Sequence, residues 1–208
     1  MKRIMILISA GTGLLFGLFL FLYYKTSMGV WETLAITAGT ICYHFIMRLL
    51  VGYVYLIVKR NRADYMRKWY RTHTWEQRLY RRLNVKKWKA KMPTFDPDTF
   101  NPELHSWDEI AQAMCQAELV HETNMILSFL PVVASIWFGA FWVFMFTSLA
   151  GACLDSCFVI MQRYNRPRVI KIARMEQNKD KKKGKRRSRN EAGRGTWCTD
   201  RTDRCHQQ

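Results

Sequence analysis

Four long apolar blocks, separated by strongly basic segments, constrain what this chain of 208 residues can fold into. They cover residues 4–24, 29–58, 125–138 and 141–161. A bilayer core needs about 20 apolar residues in helical form. We therefore predict an all-α membrane protein with four transmembrane helices.

A second interpretation exists for the first block and for the last two. The first follows a basic start, Lys2 and Arg3, as the apolar core of a cleaved signal peptide does, but it is too long and no small-x-small cleavage pattern follows. The last two blocks are joined by Gly139 and Ala140, which predict a tight turn. One long bent helix is the alternative, but its 30-odd residues exceed a single span of about 20 and favour a hairpin.

Basic residues divide the chain and set its orientation. Lys and Arg number 33 against 16 Asp and Glu, for a net charge of +17, and 13 of the cations lie within residues 59–91. We expect four regions. They are two N-terminal transmembrane helices (1–58), a cytoplasmic basic aromatic segment with a loop (59–105), a transmembrane hairpin (106–172) and a disordered polybasic tail (173–208). Because Lys and Arg favour the cytoplasmic side, both termini are expected there.

The two basic segments differ in kind. Residues 60–83 interleave aromatic rings with cations, which is typical of a basic amphipathic helix in the membrane interface, bound to anionic headgroups. The same pattern can stack single-stranded nucleic acid, but the flanking spans favour lipid as the partner. The tail has no apolar face and is expected to anchor on anionic lipid, with a nucleic acid or protein partner as the alternative. Its Cys198, Cys205 and His206 are too loosely spaced to predict a metal site.

Two local signals predict helix ends. Ser106 and Glu109 have the spacing of a capping box, which predicts a helix starting at Trp107. Pro167 is expected to end the last helix and to disfavour α conformation at Arg166.

Charged side chains inside the spans mark functional candidates, because they are costly there. At 1.5 Å per helical residue, His121 and Asp155 lie about 27 Å and 24 Å from the hairpin turn. Arg48 lies about 27 Å from the outer end of the second span. Together with Glu118, these residues are expected to form one polar layer near the cytoplasmic edge of the hydrocarbon.

Glu118 and His121 are three residues apart on one helix and are therefore neighbours on its surface. A carboxylate beside an imidazole lets histidine take a proton from a hydroxyl and turn it into a nucleophile. Arg48 would bind a phosphate or a developing oxyanion. Residues that only cap the membrane boundary are the alternative. Glu-x-x-His also occurs in di-metal bundles, but these need a second copy, so no metal is expected.

Three stretches carry the strings most specific to a family. Residues 75–93 hold WE and KKWKAKMP, residues 117–131 hold AELVH and LP, and residues 162–168 read QRYNRPR. In this order they resemble the glycosyl-4,4′-diaponeurosporenoate acyltransferase family, small bacterial membrane proteins assigned the last step of staphyloxanthin biosynthesis. The long basic tail and Glu122, where the best-known member has an aromatic residue, depart from the family pattern.

The resemblance implies transfer of a fatty acyl group from an activated donor to a hydroxyl of a lipid-like glycoside, a carotenoid glycoside in this family. It implies a multi-pass protein of the bacterial cell membrane. Acyl-CoA or a similar acyl donor would be a substrate, and no cofactor is expected. His121 and Glu118 match the catalytic positions. The expected donor-binding residues are Trp88, Lys89, Arg163, Asn165, Arg166 and Arg168.

Two other classes remain open from the residues alone. One is a non-enzymatic membrane protein that recruits anionic lipid or a cytoplasmic partner through its basic surfaces. The other is a membrane subunit that binds RNA through its tail.

Overall fold

A computed structural model describes residues 2–94 and 96–202, with side chains described except at residues 90 and 191–202. Within these ranges the chain forms α-helices and short 3₁₀ turns, and no β-strand. The α-helices are α1 (Lys2–Thr26), α2 (Gly29–Lys59), α3 (Thr74–Arg82), α4 (Val85–Trp88), α5 (Trp107–Leu127), α6 (Leu130–Phe138) and α7 (Phe141–Thr202). The 3₁₀ turns are Lys68–Tyr70, Lys89–Lys91 and Asp98–Phe100.

Four helical stretches are long and apolar enough to cross a membrane: α1, α2, the α5–α6 unit Trp107–Phe138, and Phe141–Asn190 of α7. No residue of α1 is buried, and apolar side chains such as Leu14 are largely exposed, as a helix against lipid requires. The prediction of an all-α membrane protein with four transmembrane helices is confirmed.

The spans pack as two pairs that meet through α2. The most extensive contacts join α1 to α2 and α5 to α7, and α2 also touches both α5 and α7. Where the pairs meet, the Tyr43 hydroxyl donates to the Leu127 carbonyl at 2.9 Å, and the hydroxyls of Tyr55 and Thr123 lie 3.0 Å apart. Polar contacts between helices therefore help to hold the two pairs together.

Two local predictions around the hairpin are confirmed. Gly139 and Ala140 both have positive φ, 69° and 33°, and they form the tight turn between α6 and α7. Helix α5 starts at Trp107, and Ser106 and Glu109 form both hydrogen bonds of a capping box. The alternative of one bent helix through Gly139 is wrong.

The basic aromatic segment is only partly helical, so the prediction of one helix over residues 60–83 is wrong in extent. Arg60 and Asn61 adopt left-handed φ values of 48° and 57°, which end α2. Gln116 of α5 then holds Asn61 through two hydrogen bonds of 2.9 Å. Ala63 and Tyr70 pack on buried Cys115, so tertiary contacts override local helix preference before α3 begins.

Helix α7 continues through Pro167 to Thr202. Pro167 therefore does not end the helix, and the residues that follow residue 172 are helical rather than disordered as far as Thr202. Proline cannot donate to the carbonyl of Arg163 and costs about 3 kcal/mol inside a helix. The flanking Arg163 and Arg166 are bound to carboxylates of other elements, and these contacts hold the turn in place.

The expected disordered tail continues the helix as well. Residues 173–190 are rich in Lys and Arg, which favour helices, and the preceding span supplies the helix nucleus. The side chains of Cys198 and Cys205, and all of His206, lie outside the described part of the chain.

Candidate active site

A buried ion-pair network lies at the end of the hairpin opposite its Gly139 turn. Glu118 of α5 is fully buried, and two arginines of α7 bind its carboxylate, Arg163 at 2.7 Å and Arg166 through the second oxygen. Arg163 also donates to both carboxylate oxygens of Glu76 on α3, at 3.0 and 2.9 Å. Arg166 donates to the Tyr70 carbonyl at 2.6 Å. The network therefore connects Tyr70 and Glu76, which lie outside the hairpin, to α5 and α7.

This network corrects three roles expected from the sequence. Glu118 faces the arginines of α7, so it does not pair with His121 although the two residues are neighbours on α5. Arg163 and Arg166, expected to bind donor phosphates, are engaged by carboxylates, and Arg166 is only 1% exposed. A buried guanidinium is stable only when paired in this way.

His121 instead pairs with Asp155 of α7. The Nδ1 atom of His121 lies 2.8 Å from Oδ1 of Asp155, and the Phe158 ring stacks on the imidazole with centroids 4.6 Å apart. Arg48 of α2 donates to the other oxygen of Asp155 at 2.6 Å. The Asp155 side chain is 1% exposed and the His121 side chain 22%. Three members of the predicted polar layer thus meet around Asp155.

Gly151 makes room for this arrangement. A Cβ at this position would lie 2.8 Å from Nη2 of Arg48, 3.4 Å from the Ser128 hydroxyl and 3.5 Å from Nδ1 of His44. Glycine leaves room for the guanidinium beside α7, so that it reaches Asp155 one turn further along without having to shift away from a Cβ. Sequence reasoning missed Gly151, although its place one turn before a buried Asp was a usable signal.

Four buried polar atoms between Asp155 and the hairpin turn have no hydrogen-bond partner among the described residues. They are both ring nitrogens of His44, Oδ1 of Asn124 and Oγ of Ser148, none of which has a hydrogen bond within the described part of the chain. His44 precedes Arg48 by one turn, and Asn124 follows His121 by three residues. Such atoms have hydrogen-bonding capacity for water or for polar groups of a ligand.

The other predicted donor-binding residues lie around Tyr164. Lys89 donates to the Asn165 side chain at 2.6 Å and lies 4.9 Å from the centre of the Tyr164 ring, and Arg168 lies 5.1 Å from that ring centre. Trp88 donates instead to the Leu83 carbonyl at 3.0 Å. Lys89, Asn165 and Arg168 are therefore brought together, whereas Trp88 only closes a local turn.

A cleft of about 620 Å³ opens between the Lys68–Tyr70 turn, α3 and α7. Its lining combines aromatic, aliphatic and charged side chains. They are Lys68, Trp69, His73, Trp75, Glu76, Leu79, Tyr80, Ile160 and Arg163. Apart from Arg163, none of these residues was among the site residues predicted from the sequence.

Glu76 at the base of this cleft is held ionised. Burial acts to raise the pKa of its carboxyl, but hydrogen bonds from Arg163 and Tyr80 outweigh burial and bring the pKa below its ordinary value. Burial and the neighbouring Glu76 raise the pKa of Tyr80, so its hydroxyl stays protonated and donates at 2.8 Å.

The described residues contain no group of three or more His, Cys, Asp or Glu side chains placed to hold a metal ion. The Asp155 carboxylate is engaged by His121 and Arg48, and the Glu118 carboxylate by Arg163 and Arg166. The arrangement offers proton transfer and anion binding.

Comparison with known proteins agrees with this chemistry. A family model described as glycosyl-4,4'-diaponeurosporenoate acyltransferase matches residues 66–175, more than half of the chain. The matched region includes both the Glu118 network and the His121–Asp155 pair, and it defines an acyltransferase. The chain belongs to the glycosyl-4,4'-diaponeurosporenoate acyltransferase family. No curated protein and no solved structure matches the chain.

Replacing Glu118 with Gln should destabilise the protein by about 3–5 kcal/mol, because Arg166 would be left buried without its counter-charge. Thermal unfolding of the purified protein in detergent measures the effect. Glu103→Gln is the matched control, since Glu103 is exposed and its carboxylate makes no ion pair among the described residues. Equal melting temperatures for the two variants would contradict the role of the network.

Gly151→Ala sets two effects against each other. Alanine gains about 1 kcal/mol of helix propensity, whereas the Arg48 guanidinium has to shift away from the new Cβ, which weakens its ion pair with Asp155. We expect a lower melting temperature and an acyl-transfer rate reduced about ten-fold or more, as the loss of an orienting partner implies. Gly52→Ala on α2 meets open space and should be neutral or stabilising. A Gly151→Ala protein that is also stabilised would show that Arg48 does not need this approach.

The contribution of Glu76 to stability should depend on pH with a defined sign. Its folded pKa is lowered, so its stabilising effect is complete above the ordinary glutamate pKa of about 4.3 and is lost as pH falls through the folded value. The melting temperatures of the parent and of Glu76→Gln should differ at neutral pH and converge in acid. A difference that stays constant down to about pH 3, well below the ordinary pKa, would disprove the assignment.

Proposed function

We propose that the protein transfers a fatty acyl group from an activated donor to a hydroxyl of a carotenoid glycoside, with His121 as general base. One observation carries the proposal. The imidazole is held by Asp155 at 2.8 Å, and Asp155 is itself held by Arg48 at 2.6 Å. This is the base-and-orienting-carboxylate arrangement that activates hydroxyl nucleophiles.

The pairing determines which nitrogen can act. A neutral imidazole that donates its Nδ1 proton to Asp155 has an unprotonated Nε2, which can accept a proton. No hydrogen bond engages Nε2 within residues 2–94 and 96–202, and the side chain is 22% exposed. Stacking on Phe158 fixes the ring plane. The Nε2 atom is thus the proton acceptor in the proposed reaction.

The reaction then needs only the two substrates. Nε2 takes the proton of the acceptor hydroxyl while its oxygen attacks the carbonyl carbon of the donor and forms the new C–O bond. The tetrahedral intermediate collapses, the bond from that carbon to the leaving group breaks, and the leaving group takes the proton back from Nε2. Asp155 stabilises the imidazolium between these steps. For a thioester donor the products are the ester and a thiol.

The depth of the site suits an amphiphilic acceptor. His121 lies about 27 Å along the helix from the hairpin turn, near one edge of a hydrocarbon layer of about 30 Å. The polyene of a carotenoid glycoside can lie among lipid chains with its sugar at this edge. The basic segments support placing this edge and both termini on the cytoplasmic side of the cell membrane.

Replacing His121 with Gln should lower the acyl-transfer rate by about 10²–10⁴-fold, which is the usual contribution of a general base. The rate is measured with purified protein in detergent, a long-chain acyl thioester and a glycosylated carotenoid, by mass spectrometry of the ester. His105→Gln is the matched control, because His105 is exposed and lies outside the site. Unchanged melting temperature would show that the effect is chemical. Full activity in the His121→Gln protein would rule out the proposed base.

A further inference from the structure

The cytoplasmic cleft between the Lys68–Tyr70 turn, α3 and α7 has two exposed indoles. Trp69 is 63% exposed and Trp75 is 61% exposed, although both line a cleft of about 620 Å³. Pockets for small organic ligands commonly measure about 300–1,000 Å³. Leu79 and Ile160 add aliphatic surface to the same cleft. The cleft therefore offers flat aromatic faces beside an apolar wall.

One cation of the cleft is available to an anionic ligand. Arg163 is engaged by Glu76 through two hydrogen bonds of 3.0 and 2.9 Å, and it also lies 3.9 Å from Glu122. Lys68 lines the cleft, is exposed and forms no ion pair with a described residue, and the exposed His73 adds an imidazole that can form hydrogen bonds. Beyond Tyr80, which packs edge-on against Tyr164 at 6.1 Å, lie the further cations Lys89 and Arg168.

The cleft lies next to the turn of α5 that carries the imidazole. The Trp69 indole N–H donates to Glu122, the residue after His121, at 3.1 Å. Arg163 of the cleft binds Glu118, three residues before His121, at 2.7 Å. Along the hairpin, Arg163 lies about 36 Å from the turn and His121 about 27 Å, so the cleft is about 9 Å closer to the cytoplasm.

We propose that this cleft binds the carrier portion of an acyl-CoA donor, with its adenine on Trp75 and its phosphates at Lys68 and His73. The inference rests on the proposed function, because the donor is a substrate of the same site. Aromatic side chains stack on nucleobases, and cations bind phosphates. A carrier held here can extend its thioester toward His121, whereas an anionic phospholipid has no base to stack on the indoles.

The test measures donor binding without turnover. Full-length His121→Gln protein in detergent is titrated with hexadecyl-CoA, a thioether that cannot transfer its chain, and the dissociation constant is measured by calorimetry. Adding Trp75→Ala or Lys68→Glu should weaken binding about ten-fold each, as the loss of one stacking or phosphate contact implies. Coenzyme A without a chain should still bind and lose affinity in the same two variants.

Matched controls separate the cleft from exposed residues in general. Trp137→Ala removes an indole that is 72% exposed at the opposite end of the hairpin, and Lys182→Glu reverses an exposed charge far along α7. Both should leave the dissociation constant unchanged. Unchanged binding in Trp75→Ala and Lys68→Glu would overturn the inference, as would equal displacement of the ligand by phosphatidylglycerol.

The outcomes also distinguish the two proposals. If His121→Gln retains full acyl transfer, the proposed base is wrong whatever the cleft binds. If that variant is inactive but its dissociation constant for hexadecyl-CoA is unchanged by the cleft substitutions, His121 remains the proposed base and the donor site lies elsewhere.

Discussion

The buried pair of Glu118 and Arg166 is the interaction on which the rest of the structure depends. Both side chains are almost completely inaccessible, so each needs the other to offset the cost of burying a charge. Arg163 extends the pair to Glu76. The three strings that mark the family each contribute a member of this network, namely Glu76, Glu118 and the two arginines. Residues of these three strings therefore hold the segment that contains α3 against the hairpin.

The same network determines where the candidate base lies. Arg163 and Arg166 fix the register between α5 and α7 beside Glu118. One turn further along α5, and two turns from Arg163 on α7, that register brings His121 opposite Asp155. Arg48 then joins the second helix pair to the first through Asp155. The helices are thus connected at two levels, one around Glu118 and one around Asp155.

Local features of this fold could be predicted from the sequence, and partners across helices could not. The spans, the Gly139 turn and the Ser106 cap depend on composition and short spacing. Glu118 and His121 are neighbours on α5, but spacing along one helix does not show which side chains of α7 face them, so Asp155 was not recognised as the imidazole partner. The helix through Pro167 depends on ion pairs with distant residues, which override the local preference of proline.

The arginines of the Glu118 network and the lysine of the cleft have different roles because their side chains differ in chemistry. A guanidinium can donate to several acceptors at once. Arg163 binds both carboxylate oxygens of Glu76, and Arg166 donates to Glu118 and to the Tyr70 carbonyl. A lysine holds a compact, hydrated charge, and Lys68 keeps that charge at the surface of the cleft. About 9 Å along α5 and α7 separates this surface from the imidazole, by helical rise. A donor whose phosphates and reactive carbonyl are joined by a long flexible arm can bridge that separation, whereas a compact acyl phosphate cannot occupy both places.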